Sequence, residues 1–180
     1  MCSDSALLRR NVRRKGSFFI ESIREGGMHN ISVREADFDD APAVVALIRE
    51  MAQEDGASTP ITETYAQNCR MYPGSGVLLA EADGRLVGLL HYTLRANLYH
   101  AAPACLIELL YVKRGERGRG AGGALVDAVR TKAEALGCAE ISVSVTPDNA
   151  GAIRFYRGHG LTEETMLLER HFVRTQEGAS

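Results

Sequence analysis

Four glycines fall within six residues, at Gly118, Gly120, Gly122 and Gly123, behind Arg117 and around Arg119 and Ala121. Glycine lets a backbone turn at positive φ and approach a ligand closely. An apolar strand pattern, Cys105 to Val112, runs into this stretch, and a helical pattern follows it. At such a junction the first helix amides point outward, and the helix dipole adds to their attraction for anions. The chemistry implied is the binding of a phosphorylated ligand. Lys113, Arg114, Arg117 and Arg119 add positive charge.

Two common phosphate motifs can be compared with this run. Gly118, Gly120 and Gly123 satisfy G-x-G-x-x-G in form. A dinucleotide fold also needs an acid at the far end of the next strand to hold the ribose. Glu140 is the candidate, and it opens its strand instead. A P-loop needs Gly-Lys-Ser/Thr after the glycines, and none follows.

The elements that must position the loop are legible from periodicity. Ile31 to Arg34 alternates as a first strand, and Asp37 to Asp40 supplies helix-start chemistry. Val44, Val45, Leu47, Ile48 and Met51 predict an amphipathic helix to about Gln53, and Thr62 to Met71 a second. Val77 to Ala80 and Arg85 to Tyr92 read as a hairpin closed by Asp83-Gly84. Asn97 to Pro103 reads as a loop. The segment CLIELLYV, interrupted only by Glu108, reads as a strand buried on both faces. A helix to near Gly137, a strand Glu140–Val145, a short helix from Asn149 and a last strand Met166–Phe172 complete an α/β order.

Composition bounds the remaining possibilities. The 180 residues suit one domain, with 45% hydrophobic and 24% charged residues. Net charge is −2, which predicts no nucleic-acid and no membrane partner. Residues 1–30 carry +3 and the remainder −5. The expected organisation is a poorly ordered basic extension over 1–30, or an upstream extension if translation starts at Met28. A domain over 31–175 and a tail over 176–180 follow. Cys2, Cys69, Cys105 and Cys138 form no C-x-x-C pair and do not join histidines at zinc spacing, so no metal is expected. Thiols in apolar segments point to a reducing, cytoplasmic setting.

Arg117-x-x-Gly120-x-Gly122 resembles the R/Q-x-x-G-x-G/A signature of the GNAT acetyltransferases. A second block, Asn149-Ala150-Gly151-Ala152-Ile153-Arg154-Phe155-Tyr156 with Gly160-Leu161, is similar to that family's N-x-x-A-x-x-F-Y…G-F segment, with Leu161 in place of the usual Phe. The resemblance covers about residues 31–173. It implies a single-domain α/β fold with a mixed sheet of about six or seven strands, splayed at an acyl-coenzyme A slot, and about four helices. It implies acetyl-CoA as cosubstrate. Amides from Arg117, Gly118, Arg119, Gly120, Ala121, Gly122 and Gly123 would hold the pyrophosphate. The backbone edge of Leu110, Tyr111 and Val112 would pair with the pantetheine arm, and Asn149 would contact that arm or its support. An amide near Leu110 would polarise the thioester carbonyl.

Acyl transfer to an amine needs two proton movements. Glu108 is the candidate base, in an apolar strand where desolvation would raise its affinity for a proton. Tyr156 matches a family tyrosine near the coenzyme sulfur and is the candidate acid for the thiolate. Glu54, Asp55, Glu63 and Glu108 would attract a cationic small-molecule amine. Leu47 to Ala52 and Ile107 to Val112 are similar to diamine acetyltransferases, although Leu109 stands where that subgroup commonly has an acid. The other classes are a protein amino-group acetyltransferase, a non-catalytic acyl-CoA-binding regulatory module and a nucleotide-dependent enzyme. The resemblance also makes a homodimer possible.

Overall fold

The computed structural model describes residues 30–170 in full, and the backbone of residues 8–14 and 17–23. Strands β1 (Leu8–Arg14), β2 (Ser17–Ile23), β3 (Ile31–Glu35), β4 (Ser75–Ala82), β5 (Arg85–Asn97), β6 (Ala102–Val112) and β7 (Glu140–Val143) form one sheet in that order. Five of them, β3 to β7, come from residue 31 onward. Helices α1 (Ala41–Glu54) and α2 (Glu63–Cys69) follow β3, α3 (Ala121–Ala135) follows β6, and α4 (Ala150–Gly158) follows β7. All pairings are antiparallel except β6 with β7, which is parallel. The sheet is therefore mixed, as expected.

Each sheet face is closed by helices. Leu125, Val126 and Val129 of α3 pack with Val33, Leu90, Tyr92, Cys105 and Ile107. Val44, Val45 and Leu47 of α1 pack with Leu79, Leu89 and Tyr111 on the other face. The start of α1 is fixed by charge as well as packing. Asp37 caps the preceding turn in a capping box with Asp40. Arg34 then bridges Asp40 at 2.6 Å and Glu81 at 2.8 Å, tying β3, β4 and the α1 entry together. Asp83 and Gly84 both take positive φ, 51° and 74°, as a type I′ hairpin turn requires.

Three expectations change. Backbone pairing carries the sheet into the N-terminal extension, where the sequence pattern placed no strand. The Asn97–Pro103 loop shrinks to a four-residue turn, because β5 runs to Asn97 and β6 starts at Ala102. The Asn97 side chain accepts the Tyr99 and His100 amides, which lets so short a turn close. Met166 to Arg170 form no strand, and Met166 and Leu168 are 86% and 85% exposed. The rest of that expected strand, from residue 171, lies outside the described residues.

Candidate functional site

The parallel pairing of β6 with β7 begins at Ala104↔Glu140 and ends at Ile107↔Val143. β6 runs on to Val112, while β7 has stopped. From Glu108 to Val112 this edge has no strand partner among the described residues. Leu110, Tyr111 and Val112, the residues expected to meet a pantetheine arm, lie along it. Unpaired strand backbone is a ready template for an extended ligand.

The edge leads through a single turn of 3-10 helix, Arg114–Glu116, into the glycine run. Gly118 and Gly120 take φ of 76° and 97°, values a side chain disfavours. Gly120 is the N-cap of α3 and supplies no side-chain cap, so the first amides of that helix are left for an outside acceptor. The other two glycines serve packing. A Cβ at Gly122 would lie 3.4 Å from the Phe155 ring, and one at Gly123 would lie 3.1 Å from the His159 ring. These close approaches seat α4 against the loop, with the Phe155 and His159 rings 4.7 Å apart.

α4 brings Tyr156 with it. That ring is 7% exposed and shares the core cluster on which Leu110 and Val112 pack. Burial pushes its hydroxyl up to about 12. The group therefore stays protonated throughout the neutral range. Asn149 caps α4, its Oδ1 accepting the Ala152 amide at 3.0 Å, so that oxygen is committed to the helix.

Glu108 sits at a β-bulge. His91 pairs with Leu109 and Tyr92 with Ile107, which leaves Glu108 as the extra residue on β6. A bulge turns its two residues toward the same side of the sheet. Leu109 packs with the α1 cluster, so Glu108 faces the α1 side. Its carboxylate accepts the Thr93 hydroxyl at 2.5 Å and is exposed. The desolvation expected from its apolar neighbours in sequence is absent, because the bulge aims it outward.

The sequence did not single out His91. It stands on the same face, with Nε2 3.1 Å from Ser75 Oγ and 3.7 Å from Cys69 Sγ. Burial pushes its pKa below 6.5, against an opposing pull from Glu108. At neutral pH the ring is uncharged. The unfolded chain takes up this proton near 6.5 and the native chain resists it until lower pH, so this contribution to stability is lost as pH falls below about 6.5. Urea midpoints at pH 7.5 and 5.5 should show a smaller difference for His91→Gln than for wild type.

Glu54, expected to face an amine, is engaged elsewhere. Its Oε1 accepts the Tyr111 hydroxyl at 2.8 Å, and its Oε2 pairs with Arg117. The Tyr111 bond and the Arg117 charge hold this carboxyl below its usual range. Arg117 also donates through Nε to the Val112 carbonyl at 2.9 Å and lies 5.7 Å from the Tyr111 ring centroid. Its guanidinium thus contacts both Glu54 and the end of β6. Among the described residues no group of three or more His, Cys, Asp or Glu could hold a metal ion, and no helix is long and apolar enough to cross a membrane.

An open strand edge running into an uncapped, glycine-built helix start is the combination the two sequence motifs imply. The sequence profile of the Acetyltransferase (GNAT) family matches residues 41–161. The chain belongs to the GNAT acetyltransferase family. The family uses acetyl-CoA as cosubstrate. The GNAT chain is 31% identical over 109 residues to an L-2,4-diaminobutyric acid acetyltransferase of Nocardia farcinica, covering 57% of this chain and 54% of that one. It thus spans about half the length of that curated relative. Among solved structures, an aminoglycoside acetyltransferase from an uncultured soil metagenomic sample, in complex with sisomicin, superposes with a TM-score of 0.70 at 20% identity, covering 80% of this chain and 96% of that one. A ribosomal-protein-alanine N-acetyltransferase from Brucella melitensis biovar Abortus 2308 gives 0.68 at 20% identity, covering 79% and 99%. At such identities these two likenesses concern the fold.

Proposed function

We propose that this GNAT enzyme moves the acetyl group of acetyl-CoA to a primary amine of a small molecule, by direct attack in a ternary complex. The observation that carries this reading is the free β6 edge, Glu108 to Val112, continuous with the amide-lined loop at Gly118–Gly123. The edge takes the pantetheine arm and the loop takes the pyrophosphate. Asn149 supports the arm by fixing the start of α4.

The amine arrives as an ammonium, with a pKa near the ~10.4 of lysine. Glu108 attracts it and removes its proton, directly or through water. The amine nitrogen then attacks the thioester carbon, and an amide near Leu110 stabilises the oxygen. The nitrogen gives up its second proton to water, the carbon–sulfur bond breaks, and the leaving thiolate accepts a hydrogen bond from the Tyr156 hydroxyl before taking a proton from solvent. Attraction for a cation rests on Glu108 with Asp55 and Glu63, both exposed, since Glu54 is neutralised by Arg117. The diaminobutyrate-acetylating relative supports a small diamine or amino acid as acceptor.

A thiol-release assay with acetyl-CoA tests this directly. L-2,4-diaminobutyrate, other amino acids, spermidine, an aminoglycoside and a peptide α-amine form the panel. Turnover is expected with at least one small amine. Turnover only with the peptide would move the reading to protein acetylation. Binding of acetyl-CoA without turnover across the panel would favour a regulatory module, and no binding of coenzyme A would overturn the proposal.

A further inference from the structure

The geometry points to Glu54 as a positioning residue that holds the two halves of the donor site, the β6 edge and the pyrophosphate loop, in register with each other. This rests on the donor-site reading above. Glu54 is the last residue of α1, 63 positions before Arg117, and touches both halves at once. Oε1 takes the hydroxyl of Tyr111, a residue of the edge, and Oε2 takes the guanidinium of Arg117, the residue that opens the loop. Arg117 in turn holds the carbonyl of Val112, where the edge ends.

The carboxylate, the guanidinium and the phenol form a closed brace across the turn at residues 113–117. Tyr111 is 3% exposed, so one end of the brace is anchored in the core. In coenzyme A the pantetheine amides and the pyrophosphate are joined by one covalent chain of limited reach. A protein that presents both sub-sites at the matching separation binds the whole molecule with a chelate advantage, and one whose sub-sites drift loses that advantage while each sub-site still works. The brace therefore acts on whole coenzyme A and not on its fragments.

Glu54→Gln keeps the shape and an acceptor for Tyr111 but removes the charge that holds Arg117. Calorimetric titration should show acetyl-CoA affinity falling about ten-fold, the scale of one lost charge-assisted bond. Affinities for 3′-phospho-ADP and for phosphate-free pantetheine, followed by amide chemical shifts, should stay within about two-fold, since each touches one sub-site. Arg117→Lys loses the Nε bond to Val112 and should show the same selective loss. It also keeps the test open if Glu54→Gln folds poorly, and the double variant should be no worse than either single one. Equal losses for whole and fragment ligands, or unchanged acetyl-CoA affinity in both variants, would overturn the brace. Failure of the wild-type protein to bind coenzyme A would instead overturn the donor-site reading.

Discussion

Tyr156→Phe should slow acetyl transfer by about 100-fold, the lower end of what a positioned acid–base group contributes. The substitution deletes one oxygen and leaves the ring in the core cluster with Phe155, so melting temperature and acetyl-CoA affinity should hardly move. The mode of action follows from the hydroxyl's elevated pKa. Burial sets it near 12, far above the ~8.5 of a free thiol. Full transfer of its proton to the thiolate would run uphill. The hydroxyl is better suited to donate a hydrogen bond to charge building on sulfur, and the released thiolate then takes its proton from solvent. A hydroxyl that stays protonated also gives the rate no pH dependence of its own between pH 6 and 9. The deficit of Tyr156→Phe should therefore be constant across that range, measured in single turnovers with chemistry limiting. An unchanged chemical rate would remove Tyr156 from the mechanism. A deficit that closes as pH rises would mean that the hydroxyl loses its proton within that range, against the elevated value that burial gives it.

The glycine turn and the short helix after β7 were legible because their signals are local. Gly118 and Gly120 need positive φ, and a glycine run between a strand and a helix states that need in consecutive residues. The Asn149–Tyr156 block is local in the same way, with a capping residue followed by an apolar helix face. What was misread depends on tertiary register. No pattern in CLIELLYV shows that Glu108 is a bulge residue, because a bulge is defined by the partner strand, here the step from His91 to Tyr92. That step changed Glu108 from a desolvated carboxylate into an exposed one held by Thr93. Glu54 was assigned to the acceptor wall on position alone. Its partners Tyr111 and Arg117 lie 57 and 63 residues away, beyond any local pattern. His91 gave no signal in the sequence because its neighbours Ser75 and Cys69 come from another strand and a helix end. The Met166–Phe172 alternation suits a strand, but Met166 to Arg170 have no pairing partner among the described residues. Alternation proposes a strand; only a partner makes one.

Gly120→Ala should cost acetyl-CoA affinity at least about ten-fold, and Gly137→Ala should cost none. The pair separates backbone strain from loss of the anion site. Both glycines take positive φ at an end of α3, 97° at its N-cap and 71° beyond its last turn. An alanine Cβ at Gly137 meets nothing within 4 Å, and one at Gly120 meets only Ile31 Cδ1 at 3.5 Å. Each substitution therefore carries mainly the left-handed penalty, roughly 1–2 kcal/mol. Each should lower the melting temperature by a few degrees, at about 2–4 °C per kcal/mol for a chain of this size. The consequences for binding differ because the chain can relax differently at the two ends. Beyond the C-terminus, relaxation moves a loop away from the ligand. At the N-cap, easing the strain rotates the peptides at Gly120 and Ala121, and the outward amides lose their common aim. An oxyanion held by several aligned amides loses a large part of its binding when that aim is lost. Melting curves with and without acetyl-CoA give both quantities in one experiment: similar shifts for the free proteins, and ligand stabilisation retained only by Gly137→Ala. Equal stabilisation of both variants would mean that the amides at the head of α3 do not hold the pyrophosphate. The glycines of this loop would then serve the chain's turn and the seating of α4 alone.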